Sequence, residues 1–470
     1  MLTSSERVGG WHVAGTGATT LSTLLTARAA ADGDRVALTW FGFRAAAATT
    51  LTWAELDRRV TAVAAALRQV TEPGQRAAVL IAPSADHVVA VLAVVRAGLV
   101  AIPLPPRSPA AIADAGPVIV LATADTVAAT RRFLSTLDTC GHRVLAVDAV
   151  EDAPGFTEDP VAAEDVAYLQ YPAGVMVTHA NVVANARQTA AVLQGRTVLS
   201  WLPPTDPLGL LLAIAVPIVS GRSAVLVDRR DLLAEPARLL ADPALRDIGT
   251  LVADTDPDLA RLLGALPSDA RRVCHVLAEA TAVVTAAGVP AGQRIAIVDP
   301  GGRRVPDGEP GEIWISGPNI ARGYWQRPEE SAHVFCALIT GDDEPRWWLR
   351  SGDLGFLDES GELHVTGRCA DLVAGHHPGD LEATAAEAHP AVGSATAFSV
   401  GDAQAVIVAE LADGVVPPAR GEVERAVRAA VSAAHELVPH RVVVVPPGGR
   451  PPERARCRDR FAAGLLDGSR

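Results

Sequence analysis

The chain has 470 residues, 49% hydrophobic and 20% charged, with a formal charge of −13 and a mean hydropathy of +0.22, which suits a globular protein of at least two domains. The acidic balance argues against broad nucleic-acid binding, which needs a basic surface to displace counterions. No apolar run reaches the ~18 residues of a membrane span, and MLTSSERVGGWHVAG lacks the charged and apolar regions of a secretory signal, so a cytoplasmic protein without a membrane span is expected.

Strands and helices alternate through the first two-thirds. QRAAVLIAP (75–83) is short and apolar, as a strand buried on both faces would be. Ser84 offers an N-cap to a helix through SADHVVAVLAVVRAGLV, which ends near Gly98, and AIPLPP is the next strand. In AYLQYPAGVMVTHANVV (167–183) the pattern predicts a strand, a short turn at Pro172-Ala173-Gly174 and the entry to a helix. Further strands are expected at HRVLAVDAV (from His142), GRSAVLVD (from Gly221) and GQRIAIVDP (from Gly292). Such βα units imply mostly parallel sheets with flanking helices. GEIWISG (311–317) and GELHVTG (361–367) alternate more clearly, as antiparallel strands of a smaller barrel-like part would. After Arg368 a short α/β tail follows: strand SATAFSV, strand QAVIVAEL, helix GEVERAVRAAVSAAHEL, strand HRVVVVPP. The expected domains are 1–368 and 369–470, and PPGGRPPE (446–453) reads as a loop.

Cys140, Cys274, Cys336, Cys369 and Cys457 lie far apart, without metal-ligand spacing, so reduced thiols and no metal site are expected. All 41 basic residues are Arg; there is no Lys. A GC-rich genome accounts for surface drift from Lys to Arg, but a lysine that does chemistry is not replaced by a delocalised, forked cation without consequence. The arginines at 454, 456, 458 and 460 read as a solvated helix face.

Several stretches together resemble fatty acyl-AMP ligases of the acyl-adenylate-forming superfamily. They are LTWAELDRRVTAVAAALRQ with AGLVAIPLPPRSP, YLQY…GVMVTHANVVAN, PDGEPGEIWISGPNIARGYWQRPEES running into WLRSGDLGFLDESGELHVTGRCADLV, and HHPGDLEATAAEAHP. The resemblance implies the acyl-adenylate-forming fold: a large N-terminal domain of mostly parallel sheets plus a small β-barrel-like part, and a small C-terminal α/β domain. It also implies an activity, in which a fatty acid and ATP give an acyl-adenylate whose acyl group passes to a carrier protein.

The sequence departs from that pattern where the chemistry is most demanding. A triphosphate needs a Gly/Ser/Thr-rich loop whose N–H groups and hydroxyls wrap its oxygens. The family's TSGSTGxPKG is reduced here to Pro172-Ala173-Gly174, and Pro172 has no N–H. LYHDMGL corresponds to PPTDPLGL (203–210), so the His is absent and Asp206 is followed by Pro207. The interval 254–277 is too short for the adenine-lining strand, YGLAEAT has become HVLAEAT with His275 at the Tyr position, and the lysine of TSSGK is missing. Removing one electrostatic donor commonly costs about 2.7–4 kcal/mol of barrier, so efficient adenylation is not expected.

By the resemblance, Glu279 matches a magnesium-facing acid, Asp353 a ribose-binding Asp, Arg368 an Arg contacting ribose or phosphate, and Asp371 the hinge. The alternative for Asp353 and Arg368 is that they pair with each other, since buried charges need partners. The candidate catalytic residues are His275, Glu279, Asp206 and Asp353. His275 and Glu279 would pair as acid and base if their segment were helical; the alternative is a histidine that fills the Tyr slot. The candidate substrate-binding residues are Tyr171, Trp201, Thr281, Arg368 and His377. His376, Asp380 and Glu382 read as inherited structure, and Trp347 and Trp348 as packing.

Two functions remain in competition. The first is a repurposed enzyme that uses no cofactor and binds an acyl or polyketide small molecule in a drier pocket for an ATP-independent reaction such as cyclisation or dehydration. The second is a catalytically dead scaffold or binding partner of an acyl carrier protein or an active ligase. Residual adenylation ranks below both.

Overall fold

A computed structural model describes residues 19–42, 48–137, 142–151, 156–253, 255–286, 288–342, 345–376, 378–400, 404–414, 420–447 and 454–465. The N-terminal segment, Cys140, His377 and most of the loop expected at 446–453 therefore lie outside the described residues. The chain divides into two compact units, one of residues 1–309, 313–351 and 357–363, the other of 310–312, 352–356 and 364–470.

The first unit holds two large sheets. Their strands in chain order are β1 (Val36–Phe41), β2 (Thr49–Thr52), β3 (Arg76–Val79), β4 (Val100–Pro103), β5 (Ile119–Ala122), β6 (Arg143–Ala146), β7 (Val166–Gln170) and β8 (Val175–Thr178). They continue as β9 (Thr197–Ser200), β10 (Ser223–Val227), β11 (Ile248–Ala253), β12 (Arg271–Val276) and β13 (Val283–Ala286). One sheet has the order β6-β5-β3-β4-β7-β8, the other β13-β12-β11-β9-β10-β1-β2. The pairings are parallel except at the edges, where β8 on β7, β2 on β1 and β13 on β12 run antiparallel. The parallel strands are buried apolar runs, as sheets covered on both faces require. Further strands follow at 294–298, 311–316, 349–357 and 363–368.

Local chemistry sets the elements as the sequence predicts. Ser84 Oγ accepts from His87 N at 3.3 Å and starts the helix Ala85–Arg96. That helix is buried nearly all round, and its last residue, Arg96, is 3% exposed. The Arg96 guanidinium reaches Asp57 and Glu158, each at 2.7 Å, and also Ser22 Oγ and Thr61 Oγ1. One buried cation thus ties three helices and the 158 segment together. The stretch 167–183 differs from the expected strand, turn and helix in one respect. Val175–Thr178 forms a second strand, so the turn closes a hairpin, and Thr178 then caps the helix His179–Val192.

In the second unit, strands 392–400, 404–411 and 441–445 form one sheet, with helices 378–387, 420–435 and 454–462 alongside in the sequence. The arginine-rich helix is not wholly solvated. Arg454 donates to Glu382 Oε1 at 2.8 Å and to Ala397 O at 3.0 Å. Glu382 also accepts from Ala397 N at 2.9 Å, a structural role as expected.

His87 and His179 are buried in the first unit, and burial lowers each pKa to about 4; the Ile81 carbonyl opposes this at His87, and Asp165 does so at His179. Unfolded histidines titrate near pH 6.5, so the unfolded chain binds more protons below that pH. Stability is then fully present above about pH 6.5 and is lost as pH falls toward 4, by on the order of 3 kcal/mol for each histidine. Urea midpoints should be flat from pH 8 to 7 and fall below 6.5, less steeply in His87→Asn.

Candidate functional site

The β7–β8 hairpin turns through residues 171–174, with Gly174 at φ +69. A Cβ at Gly174 would lie 3.5 Å from both Arg327 Nη2 and Trp325 Cβ, at ordinary contact distance, so it is the positive φ that favours glycine here. Trp325 N donates to Gly174 O at 2.8 Å, and the Arg327 guanidinium donates to Ala173 O. Two residues further on, Met176 N donates to Gly323 O at 2.8 Å and Arg322 N to Met176 O at 2.9 Å. The Tyr171 hydroxyl donates to Asp114 Oδ2 at 2.6 Å, and burial, then this bond, raise the phenol's pKa. Tyr171 and Trp325 both pack against the apolar core under β3, β4 and β5.

The strip that fastens the hairpin also carries a phenol to a carboxylate. Tyr324 Oη donates to Glu279 Oε1 at 2.8 Å, and Ala321 N donates to the Glu279 carbonyl at 2.8 Å. The Arg327 guanidinium lies 5.3 Å from the Tyr324 ring centre, and Phe335 meets that ring edge-on at 5.2 Å. Burial first, and then the Glu279 charge, raise the Tyr324 pKa. Two residues from Glu279, Thr281 adopts φ 70 and ψ −54, a γ-turn geometry that is rare and strained for a β-branched residue. Ala282 N donates to Ala280 O at 2.9 Å across this turn. Asn319 braces it, donating to Ala280 O at 3.0 Å and accepting at its backbone carbonyl from Thr281 Oγ1 at 2.7 Å. The Thr281 hydroxyl, expected to bind substrate, is fully buried in that bond.

Trp201 and Asp206 follow β9, near the carboxyl ends of β10 and β11. Asp206 caps the helix Pro207–Leu210, its Oδ1 accepting from Leu208 N at 2.9 Å and Gly209 N at 3.1 Å. Burial raises its pKa, the two cap bonds oppose this, and the nearby Asp256 adds to the rise. Gly209 is required here, because a Cβ would stand 2.2 Å from Pro203 O. Arg229 binds Asp256 at 2.5 Å and Asp258 at 2.9 Å. Burial raises the Asp256 pKa, but the bond to Arg229, the Asp258 amide and the Arg229 charge together outweigh it and hold the carboxyl below its ordinary range. Trp201 is buried in the core with Leu199, Val227 and Val252, as a packing residue would be. Gln170, fully buried at the end of β7, donates to Thr205 O at 2.7 Å, while its Oε1 has no partner among the described residues.

His275 lies within β12, paired in register with Thr285 of β13, whereas Glu279 sits in a 3₁₀ turn after the strand. The helical spacing that would join them is therefore absent, because Arg271–Val276 continues the parallel sheet. In the second unit, Arg368 Nε meets Asp353 Oδ1 at 3.2 Å, with Asp353 buried and Arg368 largely exposed. Of the candidates, Tyr171, Glu279 and Thr281 thus gather around residues 319–327, and Trp201 and Asp206 gather at the end of β9. Tyr324, Arg327, Asn319, Asp114, Arg229 and Asp256 were not singled out from the sequence. Tyrosine was the available signal: the chain has three, and two of them end on carboxylates.

The sequence matches the AMP-binding enzyme family over residues 25–248 and 271–325. The chain belongs to this family. It is 31% identical to the long-chain-fatty-acid–AMP ligase FadD26 of Mycobacterium marinum, covering 88% of this chain and 92% of the relative. It is also 31% identical to the putative fatty-acid–CoA ligase fadD25 of Mycobacterium tuberculosis, covering 86% and 89%. Among solved structures, a fatty acid AMP ligase from Legionella pneumophila superposes with TM-score 0.65 at 23% identity, over 95% of this chain and 96% of that one. The adenylation domain of a keto acid-selecting NRPS module gives 0.74 at 20%, over 96% and 98%. These structures support the acyl-adenylate-forming fold, and the relatives make the chain fatty acyl-AMP ligase-like.

The family match is interrupted between residues 248 and 271, where Asp256 and Asp258 lie. The alignment to FadD26 runs over 540 positions although only 88% of these 470 residues enter it, so that AMP-binding relative carries segments this member lacks. Within this member, Arg229 is the clamp of the interrupted stretch. Arg229→Ala leaves the 5%-exposed Asp256 carboxylate without its main partner and should cost about 2–4 kcal/mol, read as a lower urea midpoint; a change below about 0.5 kcal/mol would show that the clamp is not structural.

Proposed function

We propose that this AMP-binding family member works without forming an adenylate. It binds an acyl or polyketide chain in its first unit and carries out an ATP-independent step on it, such as cyclisation or dehydration. The observation that carries this reading is the fastened turn at 171–174. A phosphate cradle needs successive N–H groups aimed at an anion; here Pro172 has none, and the carbonyls of Ala173 and Gly174 point at Arg327 and the Trp325 amide instead. The residues present do not fit a triphosphate. The absence of any lysine supports the same conclusion, since the family's C-terminal lysine has no substitute in this chain.

The acyl ligand is carried over from the relatives, whose names describe joining fatty acids to AMP or CoA. Positioning inside a closed site gives large rate effects without covalent help, which makes loss of the nucleotide compatible with catalysis. The polar groups for that chemistry are Glu279 with Tyr324, and Asp206, whose burial favours its protonated form.

A ligand selective for the folded state raises the melting temperature, by about 2.7 kcal/mol of stability at a hundredfold excess over Kd. Decanoyl N-acetylcysteamine thioester should raise Tm by a few degrees, while ATP–magnesium should leave it unchanged and release no pyrophosphate with decanoate. Stabilisation by ATP–magnesium together with pyrophosphate release would return the protein to the ligases.

A further inference from the structure

The phenol–carboxylate pair joins a buried phenol, whose hydroxyl needs a partner, to a carboxylate that is partly exposed. The Glu279 backbone is in addition held from both sides, by Ala321 N and by the strained turn at Thr281. Such outliers cost about 1–3 kcal/mol and cluster where geometry serves function. The phenol is fixed as well: Tyr324 N donates to Ser331 Oγ at 2.8 Å, and Arg327 and Phe335 hold two sides of its ring. A phenol whose proton already lies on a carboxylate keeps its oxygen lone pairs free to accept another hydrogen.

We propose that Tyr324 and Glu279 form a proton-accepting pair for a hydroxyl group carried by the acyl ligand, with Tyr324 the residue that touches it. This rests on the acyl reading above and adds the substrate class: a hydroxyacyl thioester that closes on itself. The ligand's O–H proton passes to Tyr324 Oη while the Tyr324 proton passes to Glu279. The freed oxygen attacks the thioester carbonyl, a C–O bond forms and the C–S bond breaks. The departing thiolate recovers the proton from Glu279 through Tyr324. The products are a lactone and a thiol, and nothing is oxidised or reduced.

The test uses the full chain with 5-hydroxydecanoyl N-acetylcysteamine thioester, following thiol release and δ-lactone. Positioned general bases contribute about 10²–10⁴ in rate, so Tyr324→Phe and Glu279→Gln should each lower kcat by about 100-fold or more, with KM held within about twofold. A second measurement needs no turnover: ultraviolet titration of the three phenols. Glu279, Glu330 and Arg327 face Tyr324, and Glu279 is the charge that most raises its pKa. Glu279→Gln should therefore move one phenol transition to lower pH, and Tyr324→Phe should remove that same transition. Lactone formation unchanged in Tyr324→Phe, no lactone from a thioester that does raise Tm, or phenol transitions unmoved by Glu279→Gln would each overturn the pair while leaving the acyl reading intact. A Tm raised by ATP–magnesium and not by the thioester would instead overturn the acyl reading itself.

Discussion

The candidate site depends on one strip of backbone, residues 318–327. It pairs with the hairpin through Met176 and Gly174, holds Glu279 through Ala321 N, and supplies Tyr324 and Arg327. Its own position is set by Asn181 of the helix after the hairpin, which donates to Pro318 O at 2.9 Å and Ile320 O at 2.8 Å. The same Asn181 accepts from Thr178 N and completes the cap of its own helix. One amide therefore joins the end of β8, the start of the helix and the strip. Because backbone donors and acceptors buried away from water must be paired, the strip cannot drift without leaving several of them unsatisfied.

Charge is handled by arginine throughout, and the geometry shows what that choice does. Arg96 spreads its nitrogens over Asp57, Glu158, Ser22 and Thr61; Arg229 spans two aspartates; Arg327 reaches a carbonyl and lies over an aromatic ring. Each of these uses a planar fork, which a point ammonium on a flexible stem does not reproduce. A chain without lysine has lost little as a structure. What it lacks is an amine that could move between two oxygens during a reaction.

Much of the fold was legible because it follows from period and punctuation. The buried runs at 76–79 and 100–103, the Ser84 cap and the C-terminal succession of strands and helices all stand where the pattern put them. The strand at 175–178 was missed because GVMVT is too short to separate from the following helix by periodicity alone. The site was legible only in part. Glu279 and the shortened turn could be seen along the chain, but their partners come from 40 or more residues away: Tyr324 to Glu279, Asp114 to Tyr171, Arg327 to Ala173. No local pattern announces such contacts. His275 misled for the opposite reason, since a spacing of four reads as a helix face until the sheet claims one end of it.

The hairpin's fastening also has a consequence for how this region breathes. Residues 171–174 are too few to fluctuate as a separate loop, and the carbonyls of Ala173 and Gly174 are engaged from residues 327 and 325. The amide hydrogens that donate across this seam, those of Met176, Arg322 and Trp325, should then exchange with solvent only when the hairpin and the 322–325 strip come apart together, as one cooperative opening. The tip of the hairpin and the strands beneath it share a single clock.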